Sequence, residues 1–403
     1  MNTSDSPINL SPDYTRKLFS ILAQNESGKN IVFSPVNIYL ALGMLAEVTA
    51  GGSRAQILQL MNPDGTAGVP VAGDQMTTNP FKDLSDADTE ELMEHLREQA
   101  SEIYTRCYCQ EKEAKLSLAA SFWIRKQFSY RRNCQKQLKE SYHATCHKGV
   151  MGSPELNQKL QNWLDKNTGG LLREQTSKVT LDPSTVLALA TTIYFKASWN
   201  DPFSAENTAA GTFYTNDGKE LTCDFMNRTS FCNYYSGKDF NAVALTMGGR
   251  YVMWFVLPGQ GHAPEELLAD NRLTEFLLSG GETLESTHKR VNITIPKFDI
   301  LSDIDLSDSL QKLGITDVFQ SELSDFSPLT GTDDLSLSRA QHAARLTIDE
   351  EGCEAAAYTL LAVRCTAFFP PEPPAEFKAD RPFLFALTDF DGLPLFMGLV
   401  NRP

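Results

Sequence analysis

The chain has 403 residues, enough for one large domain or for two to three domains of ordinary size. Hydrophobic residues make up 41% and charged residues 22%, a globular balance that excludes global disorder. Because 51 Asp and Glu oppose 36 Lys and Arg, the net charge is −15, and we expect no nucleic acid and no membrane as partner.

No segment has the pattern of a membrane span or of a targeting peptide. The longest apolar run, at 251–257, is too short to cross a bilayer. Residues 1–10 have neither the basic start nor the apolar core of a signal peptide. We therefore expect an extracellular, secreted protein whose leader is absent from this chain, with a cytoplasmic protein as the alternative.

The cysteine pattern does not indicate a metal site or a disulfide-built fold. Eight cysteines are scattered along the chain without C-x-x-C pairs, and the histidines include no H-E-x-x-H motif. We expect buried or free thiols, no metal and no cofactor. The cysteines are Cys107, Cys109, Cys134, Cys146, Cys223, Cys232, Cys353 and Cys365.

Helix signals dominate the first part of the chain. Ser11-Pro12 and Ser34-Pro35 each combine an N-cap residue with proline at the first helical position. Apolar periodicity predicts further helices at 53–61, 89–101 and 153–166. Residues 62–88 have no periodicity and are rich in Gly, Pro, Asp and Thr, which predicts a surface-loop insertion.

The later part of the chain is mostly strand-like. Runs at 186–194, 240–246, 251–257 and 291–298 are rich in β-formers and bounded by turn residues. Two further runs, 383–388 and 393–400, flank Asp391-Gly392 and predict a hairpin. Because no repeat or linker divides the chain, we predict a single α+β domain over residues 1–403.

The sequence contains none of the common catalytic motifs. There is no G-x-S-x-G elbow, no phosphate-binding P-loop and no G-x-G-x-x-G opening a helix. The six histidines are widely spaced. We therefore expect no catalytic residues and interpret the protein as not being an enzyme.

Residues 349–380 do not fit an ordinary core element. Four prolines at 370–374 favour an extended, exposed segment. The preceding residues can form a strand whose alternate side chains are uncharged, while Glu354 and Tyr358 lie on the other face. A helix beginning near Glu354 remains open from composition alone. The uncharged strand face consists of Cys353, Ala355, Ala357, Thr359, Leu361 and Val363.

Several motifs in order resemble the serpin family. The segment EEGCEAAA at 350–357 is similar to the serpin reactive-loop hinge, and NIVFSP at 30–35, NTGG at 167–170, TIYFK at 192–196 and DRPFLF at 380–385 also match. The resemblance implies one serpin domain of three β-sheets and eight to nine helices, with an exposed reactive-centre loop at about 350–381. The hinge residues are Glu350, Glu351, Gly352, Cys353, Glu354, Ala355, Ala356 and Ala357.

The resemblance also implies a function, namely suicide inhibition of serine proteases. The family's hinge-to-cut spacing places the reactive bond at Thr366–Ala367. A target protease would cleave there and become trapped as a covalent acyl-enzyme when the cut loop enters the central sheet as a new strand. We expect a monomer at risk of forming loop–sheet polymers.

Residues near the cut predict the class of target. Thr366 is small and β-branched, which suits the shallow pocket of elastase-like proteases. Arg364 is the alternative reactive residue and would attract trypsin-like proteases. The other functional class is a non-inhibitory serpin with a chaperone, carrier or storage role, but this hinge lacks the bulky or charged residues that would favour it. Cys353 replaces the family's usual Thr or Ser, and we expect it to expose an oxidisable thiol.

Other positions match serpin sites around the central sheet. Ser34, Thr191 and His342 fall in the region where the sheet opens, and Thr191 replaces a common asparagine that would pair with the histidine. Lys297 and Trp199 match positions at the top of the sheet, and we expect contact between Lys297 and Glu350. A basic cluster hints at a polyanion site, although a solvated helix face is favoured. Its residues are Arg125, Lys126, Arg131, Arg132, Lys136 and Lys139.

Overall fold

A computed structural model describes residues 10–62, 81, 84–110, 114–170, 172–330, 335–338, 340–353 and 373–403. The surface-loop insertion expected at 62–88 lies largely outside these residues. Helix α4 nevertheless begins at Asp86, where the side chain of Ser85 accepts the backbone N–H of Asp88 at 3.2 Å. The predicted start at residue 89 is therefore three residues late, because this cap was not recognised in the sequence.

Helices in the described part of the chain include eight of seven residues or more and two of only four residues. They are α1 (Pro12–Asn25), α2 (Pro35–Val48), α3 (Gly51–Met61), α4 (Asp86–Cys107), α5 (Arg132–Ser141), α6 (Pro154–Asn167), α7 (Arg173–Thr176), α8 (Arg272–Leu278), α9 (Leu306–Lys312) and α10 (Ser327–Thr330).

Most strands lie after residue 186, where three short helices interrupt them. They are β1 (Ile31–Phe33), β2 (Cys109–Gln110), β3 (Ala114–Arg125), β4 (Thr145–Gly149), β5 (Leu187–Ser198), β6 (Ala209–Tyr214), β7 (Glu220–Ser236), β8 (Phe240–Met247), β9 (Tyr251–Pro258), β10 (Thr287–Pro296), β11 (Phe298–Asp305), β12 (Gln341–Ile348), β13 (Gly352–Cys353), β14 (Ala375–Lys378), β15 (Phe383–Asp389) and β16 (Pro394–Val400).

The predicted helix starts at Ser11 and Ser34 are confirmed. The Ser11 hydroxyl accepts the backbone N–H groups of Asp13 and Tyr14, and the Ser34 hydroxyl accepts that of Asn37 at 3.2 Å. Proline follows each serine at the first helical position, where its missing N–H is not needed. The starts of the first two long helices are thus set by local chemistry.

The strands in the described residues form two hydrogen-bonded sheets. The larger sheet has the order β1-β16-β15-β9-β8-β7-β10-β14, with β6 beside β7. The other, which we call the central sheet, has the order β11-β12-β13-β5-β3-β2, with β4 beside β3. The predicted hairpin is β15 and β16, while the strand predicted at 291–298 is divided between β10 and β11.

The larger sheet joins two parts that the resemblance implied as separate sheets. The 17-residue strand β7 pairs with β6 and β10 along most of its length, and its last residues pair with β8. One long strand therefore carries the hydrogen bonding from one part to the next. Together with the helices, these sheets confirm the α+β architecture.

Helix α2 is the centre of the packing. All its residues except Ala41 are buried, and it packs against both β16 of the larger sheet and β5 of the central sheet. On the opposite face of the central sheet, α6 buries Leu156 and Leu160 in a second apolar cluster with Trp123. Strand β5 is therefore covered on both faces, which fixes the position of the site described next.

Candidate functional site

A two-residue strand lies between two long strands at one end of the central sheet. In β13, Gly352 pairs with Ser198 and Cys353 pairs with Ala197 of β5, while Cys353 also pairs with Ile348 of β12. Both pairings are antiparallel. Beyond β13, no backbone ladder in the described residues joins β5 directly to β12. We call the space between these two strands the slot, and β13 occupies its head.

The remainder of the slot opens into a cavity. A volume of about 400 Å³ lies between the central sheet and α6. Trp123, Leu160 and Leu164 line its apolar side, and Thr191 and Gln341 line it from the two strands bordering the slot. The described residues therefore leave this part of the central sheet unfilled.

Gly352 is required by a close backbone approach. Its φ is 150°, and a Cβ atom built on it would lie 2.2 Å from the carbonyl oxygen of Ala197. Backbone atoms on a paired strand cannot move aside as a flexible side chain does. Only glycine fits at this position while β13 is paired.

Cys353 is buried, and the expectation of an exposed thiol is wrong for this structure. Its side chain is 2% exposed, because directly opposed residues in a sheet point to the same face and its neighbours Ala197 and Ile348 are themselves buried. The sequence predicted the strand-like alternation at this residue. It did not reveal that the hinge already begins inside the sheet.

The turn preceding β13 is held by backbone hydrogen bonds. The Trp199 backbone N–H donates to the Glu351 carbonyl at 2.9 Å, and its indole N–H donates to the Asp349 carbonyl at 2.9 Å. The Phe203 N–H donates to the Glu350 carbonyl at 3.0 Å. Trp199, placed at the top of the sheet from sequence, therefore anchors Asp349 and Glu351, while Phe203 anchors Glu350 between them.

The expected contact between Lys297 and Glu350 is present. Lys297 Nζ lies 2.8 Å from Glu350 Oε2, and the Thr208 hydroxyl donates to Glu350 Oε1 at 2.8 Å. Burial by itself raises the pKa of Glu350, but the hydrogen bonds from Lys297 and Thr208 outweigh it and hold that pKa below its usual value. The hydrogen bond to Glu350 raises the pKa of Lys297.

Three further residues of this end of the sheet were missed by sequence reasoning. Asp349 Oδ1 accepts the backbone N–H groups of Glu351 and Gly352, at 2.9 and 3.1 Å. The guanidinium of Arg228 lies 4.3 Å from the Phe203 ring centroid. An Asp two residues before Glu-Gly is a turn signal that the sequence does contain, whereas Arg228 and Phe203 are brought together only by the fold.

His342 contacts Ser34 in the sheet-opening region. Its Nε2 accepts the backbone N–H of Ser34 at 3.0 Å, and the ring is 3% exposed. Burial lowers the pKa of His342 to about 4. Thr191 and His342 line the same small cavity of about 50 Å³, but no hydrogen bond joins them in the structure. In the structure His342 is therefore bonded to the Ser34 backbone and not to Thr191.

The remaining sites predicted from the sequence lie outside the described residues. They are the reactive bond Thr366–Ala367, the alternative residue Arg364, and the hinge residues Glu354, Ala355, Ala356 and Ala357.

Comparisons with known proteins agree with this geometry. Residues 10–403 match the family model described as Serpin (serine protease inhibitor), so the chain belongs to the serpin family. It is 29% identical over 405 residues to Serpin-Z10 of Arabidopsis thaliana, covering 95% of this chain and 94% of that protein. It is 28% identical over 396 residues to alpha-1-antiproteinase of Callosciurus caniceps, covering 97% of this chain and 87% of that protein.

Solved structures give the same fold. The native thermophilic serpin tengpin superposes with a TM-score of 0.80 at 23% identity, covering 100% of this chain and 96% of that one. Thyroxine-binding globulin in complex with thyroxine superposes with a TM-score of 0.76 at 23% identity, covering 97% of this chain and 98% of that one. Serpins generally act on target proteases, and their members are mostly inhibitors rather than catalysts, although the family also includes carriers.

In the described part of the chain, no helix combines the length and apolar character needed to cross a membrane.

Gly352→Ala should release β13 from the slot. The new Cβ would meet the Ala197 carbonyl at 2.2 Å, so pairing and the alanine cannot coexist. We expect alkylation of Cys353 by iodoacetamide, followed by peptide mass spectrometry, to accelerate at least about tenfold, because the open state governs thiol access. Gly218→Ala is the control, since Gly218 also has positive φ, at 77°, but nothing lies within 4 Å of its Cβ position. Equal protection of Cys353 from alkylation in both variants would contradict the claim that β13 can pair in the slot only with glycine at position 352.

Stability should fall as the pH drops from 6.5 to 4. In the unfolded chain, the imidazole of His342 is protonated below about pH 6.5, whereas in the folded protein it stays neutral down to about pH 4. Its contribution is therefore complete above pH 6.5 and lost progressively below, by about 3 kcal/mol at most. Urea titrations at pH 7 and pH 5 should show a smaller difference for His342→Gln than for the parent. His95→Gln, at an exposed position, should keep the parent's difference in stability between pH 7 and pH 5. If His342→Gln also kept the parent's difference, the assignment of this pH dependence to His342 would be wrong.

Proposed function

We propose that this serpin is a suicide inhibitor of serine proteases, most suited to elastase-like enzymes, that is cleaved at Thr366–Ala367. The trap is insertion of the cut loop between β5 and β12. The supporting observation is the position of β13, which pairs with both strands at the head of a slot where they do not pair with each other. The hinge is therefore already aligned with the space that the new strand needs.

Register supports an insertion of suitable length. Continuing the pairing of Cys353 with Ala197 places residues 354–363 beside residues 187–196 of β5. The uncharged alternating segment ends at Val363, and β5 begins at Leu187, which is opposite Val363 in this register. Segment and strand thus end together.

The side chains entering the slot suit its walls. In this register Ala357 lies between Ile193 of β5 and Ala344 of β12, both buried. The five inward side chains from Ala355 to Val363, which would newly enter the slot, carry eleven carbon atoms. At about 0.8 kcal/mol per buried carbon, their burial contributes at most roughly 9 kcal/mol, similar to the stability of a whole domain.

The register also gives Thr191 a partner in the inserted state. Thr359 falls opposite Thr191 on one side and His342 on the other. A threonine hydroxyl both donates and accepts, so it is suited to the polar pair bordering the small cavity there. Thr191, in place of the family's asparagine, is therefore compatible with a sheet that closes around an inserted Thr359.

The position of the cut relative to the slot suits trapping. Thr366 follows Val363 by three residues, so an acyl group on Thr366 would be carried past the end of β5. Fourteen residues separate Gly352 from Thr366, which as a strand is about 50 Å of travel, on the order of a domain diameter. A protease attached at Thr366 would be displaced from one end of the sheet to the other.

The alternatives follow from the same residues. Cleavage after Arg364 by a trypsin-like protease would shorten the inserting segment by two residues and favour turnover as a substrate. A non-inhibitory role, as a chaperone, carrier or storage protein, would leave the slot unused. The uncharged inward face of the segment from Cys353 to Val363 supports the inhibitor. We further propose an extracellular monomer, with a cytoplasmic location as the alternative and loop–sheet polymers as its characteristic aggregation.

Ala357→Glu should convert the inhibitor into a substrate. The carboxylate would enter between Ile193 and Ala344, where no partner offsets the cost of burying its charge. Incubation with an elastase-like protease should then give cleaved protein without the covalent complex on denaturing electrophoresis. Ala356→Glu is the matched control, because its carboxylate would lie on the opposite face of the sheet, between Tyr194 and the partly exposed cation of Arg345, and should preserve the complex. Equal behaviour of the two variants would exclude the proposed register.

Mass spectrometry of the released C-terminal peptide should locate the reactive bond. With an elastase-like protease, we expect a peptide beginning at Ala367 and a complex at the summed mass. With a trypsin-like protease, Arg364→Gln should abolish a cut that releases a peptide beginning at Cys365. A stable complex formed only by the trypsin-like enzyme, and lost in Arg364→Gln, would overturn the elastase-like specificity.

A further inference from the structure

The cavity beside α6 has the size and the walls of a small-molecule site. Its volume is about 400 Å³, within the roughly 300 to 1,000 Å³ typical of ligand pockets. Leu160 and Leu164 line it from α6, and Ala188 and Ala190 line it from β5. Trp123 completes the apolar lining, and all five side chains belong to the second apolar cluster of the protein. We call this space the α6 cavity.

The volume of the α6 cavity indicates how large a ligand it can hold. An apolar cavity of about 150 Å³ is enough for a single aromatic ring. The α6 cavity is more than twice as large, so it has room for a molecule of two fused rings. The cavity of about 50 Å³ beside His342 is too small for such a molecule.

One buried hydroxyl at the α6 cavity has no hydrogen-bond partner among the described residues. Thr192 lies two residues after Ala190 in β5, so the alternation of the strand places both side chains on the face toward α6. Thr192 lines the cavity, the residue is 3% exposed, and its Oγ1 has no partner in the described part of the chain. Buried hydroxyl groups in folded proteins nearly always have a partner. A ligand oxygen in the cavity would supply it.

The charges around the α6 cavity favour a neutral ligand. Of the residues that the structure describes, Asp182 and Asp303 line the cavity, whereas no Lys or Arg does. Asp182 accepts the backbone N–H of Ser184 at 2.7 Å, and Asp303 accepts the side-chain amide of Gln341. The two carboxylates would repel an anionic ligand, and a cation would lose much of its hydration against the apolar walls. An uncharged molecule meets neither obstacle.

We propose that the α6 cavity of the uncut protein binds a neutral, mainly apolar molecule of two fused rings, whose carbonyl or hydroxyl oxygen hydrogen-bonds to Thr192. The rings would pack against Trp123 and the two leucines of α6, and their burial drives binding. The hydrogen bond selects ligands that carry the oxygen, because the Thr192 hydroxyl stays unpartnered without it. This binding activity is separate from protease trapping.

Equilibrium dialysis of two matched naphthalenes against the intact protein tests the hydrogen bond to Thr192. The first probe is prodan, a neutral dimethylaminonaphthalene that carries one ketone, and the second is dimethylaminonaphthalene itself, which lacks the ketone. We expect both to bind the parent protein, and prodan to bind more tightly. Thr192→Val keeps the shape of the side chain but removes its hydroxyl. It should weaken binding of prodan at least about threefold and change binding of the second probe less than about twofold.

Filling the α6 cavity tests where the probe binds. Ala190→Phe places a ring in the cavity and should weaken binding of prodan at least about tenfold. Ala210→Phe adds the same ring at an exposed position on β6 and should change the affinity less than about twofold. Thermal melting shows whether each variant is folded, and Thr192→Val, which adds no bulk, still tests the site if Ala190→Phe does not fold.

Three results would contradict the proposal. Absence of prodan binding to the parent protein, or equal losses in Ala190→Phe and Ala210→Phe, would overturn the site. Equal effects of Thr192→Val on the two probes would overturn the hydrogen bond. Tighter binding of the anionic anilinonaphthalene sulfonate than of prodan would overturn the ligand class. None of these measurements uses a protease, so their outcome is independent of the proposed inhibition.

Discussion

The backbone edges of β5 and β12 are the constraint on which this structure depends. In a folded protein, buried backbone N–H and C=O groups need partners, and neighbouring strands normally supply them. Here the two strands share a sheet but meet only through Gly352 and Cys353 in the described residues. An antiparallel strand entering the slot would pair with both edges along their length. Insertion is therefore favoured by backbone pairing as well as by burial of small side chains.

The hinge turn sets where insertion begins. Trp199 and Phe203 donate hydrogen bonds to the carbonyls of three consecutive residues, Asp349 to Glu351. Lys297, between β10 and β11, forms an ion pair with the Glu350 side chain. These contacts all converge on the residues before β13, so they fix its register without occupying the slot below. The close approach at Gly352 adds a steric requirement. A rigid anchor beside a space that the described residues leave unfilled suits the loop insertion proposed above.

The charged and neutral parts of the central sheet are separate. The slot and its cavity are lined mainly by apolar and hydroxyl side chains. The cations of residues 125–148 lie instead on α5 and the adjoining parts of β3 and β4. Strand β3 connects the two regions, since it pairs with β4 on one side and β5 on the other.

Local signals in the sequence determined the helix starts at Ser11 and Ser34, the hairpin of β15 and β16, and the alternation from Cys353 to Val363, because capping, turns and strand periodicity involve neighbours along the chain. The serpin motifs added the contact between Lys297 and Glu350. Only the tertiary structure decided that Cys353 is buried, that β5 and β12 share no direct backbone ladder among the described residues, and that His342 bonds to Ser34 across 308 residues. Those features depend on which distant strands become neighbours, and no spacing within the sequence encodes that directly.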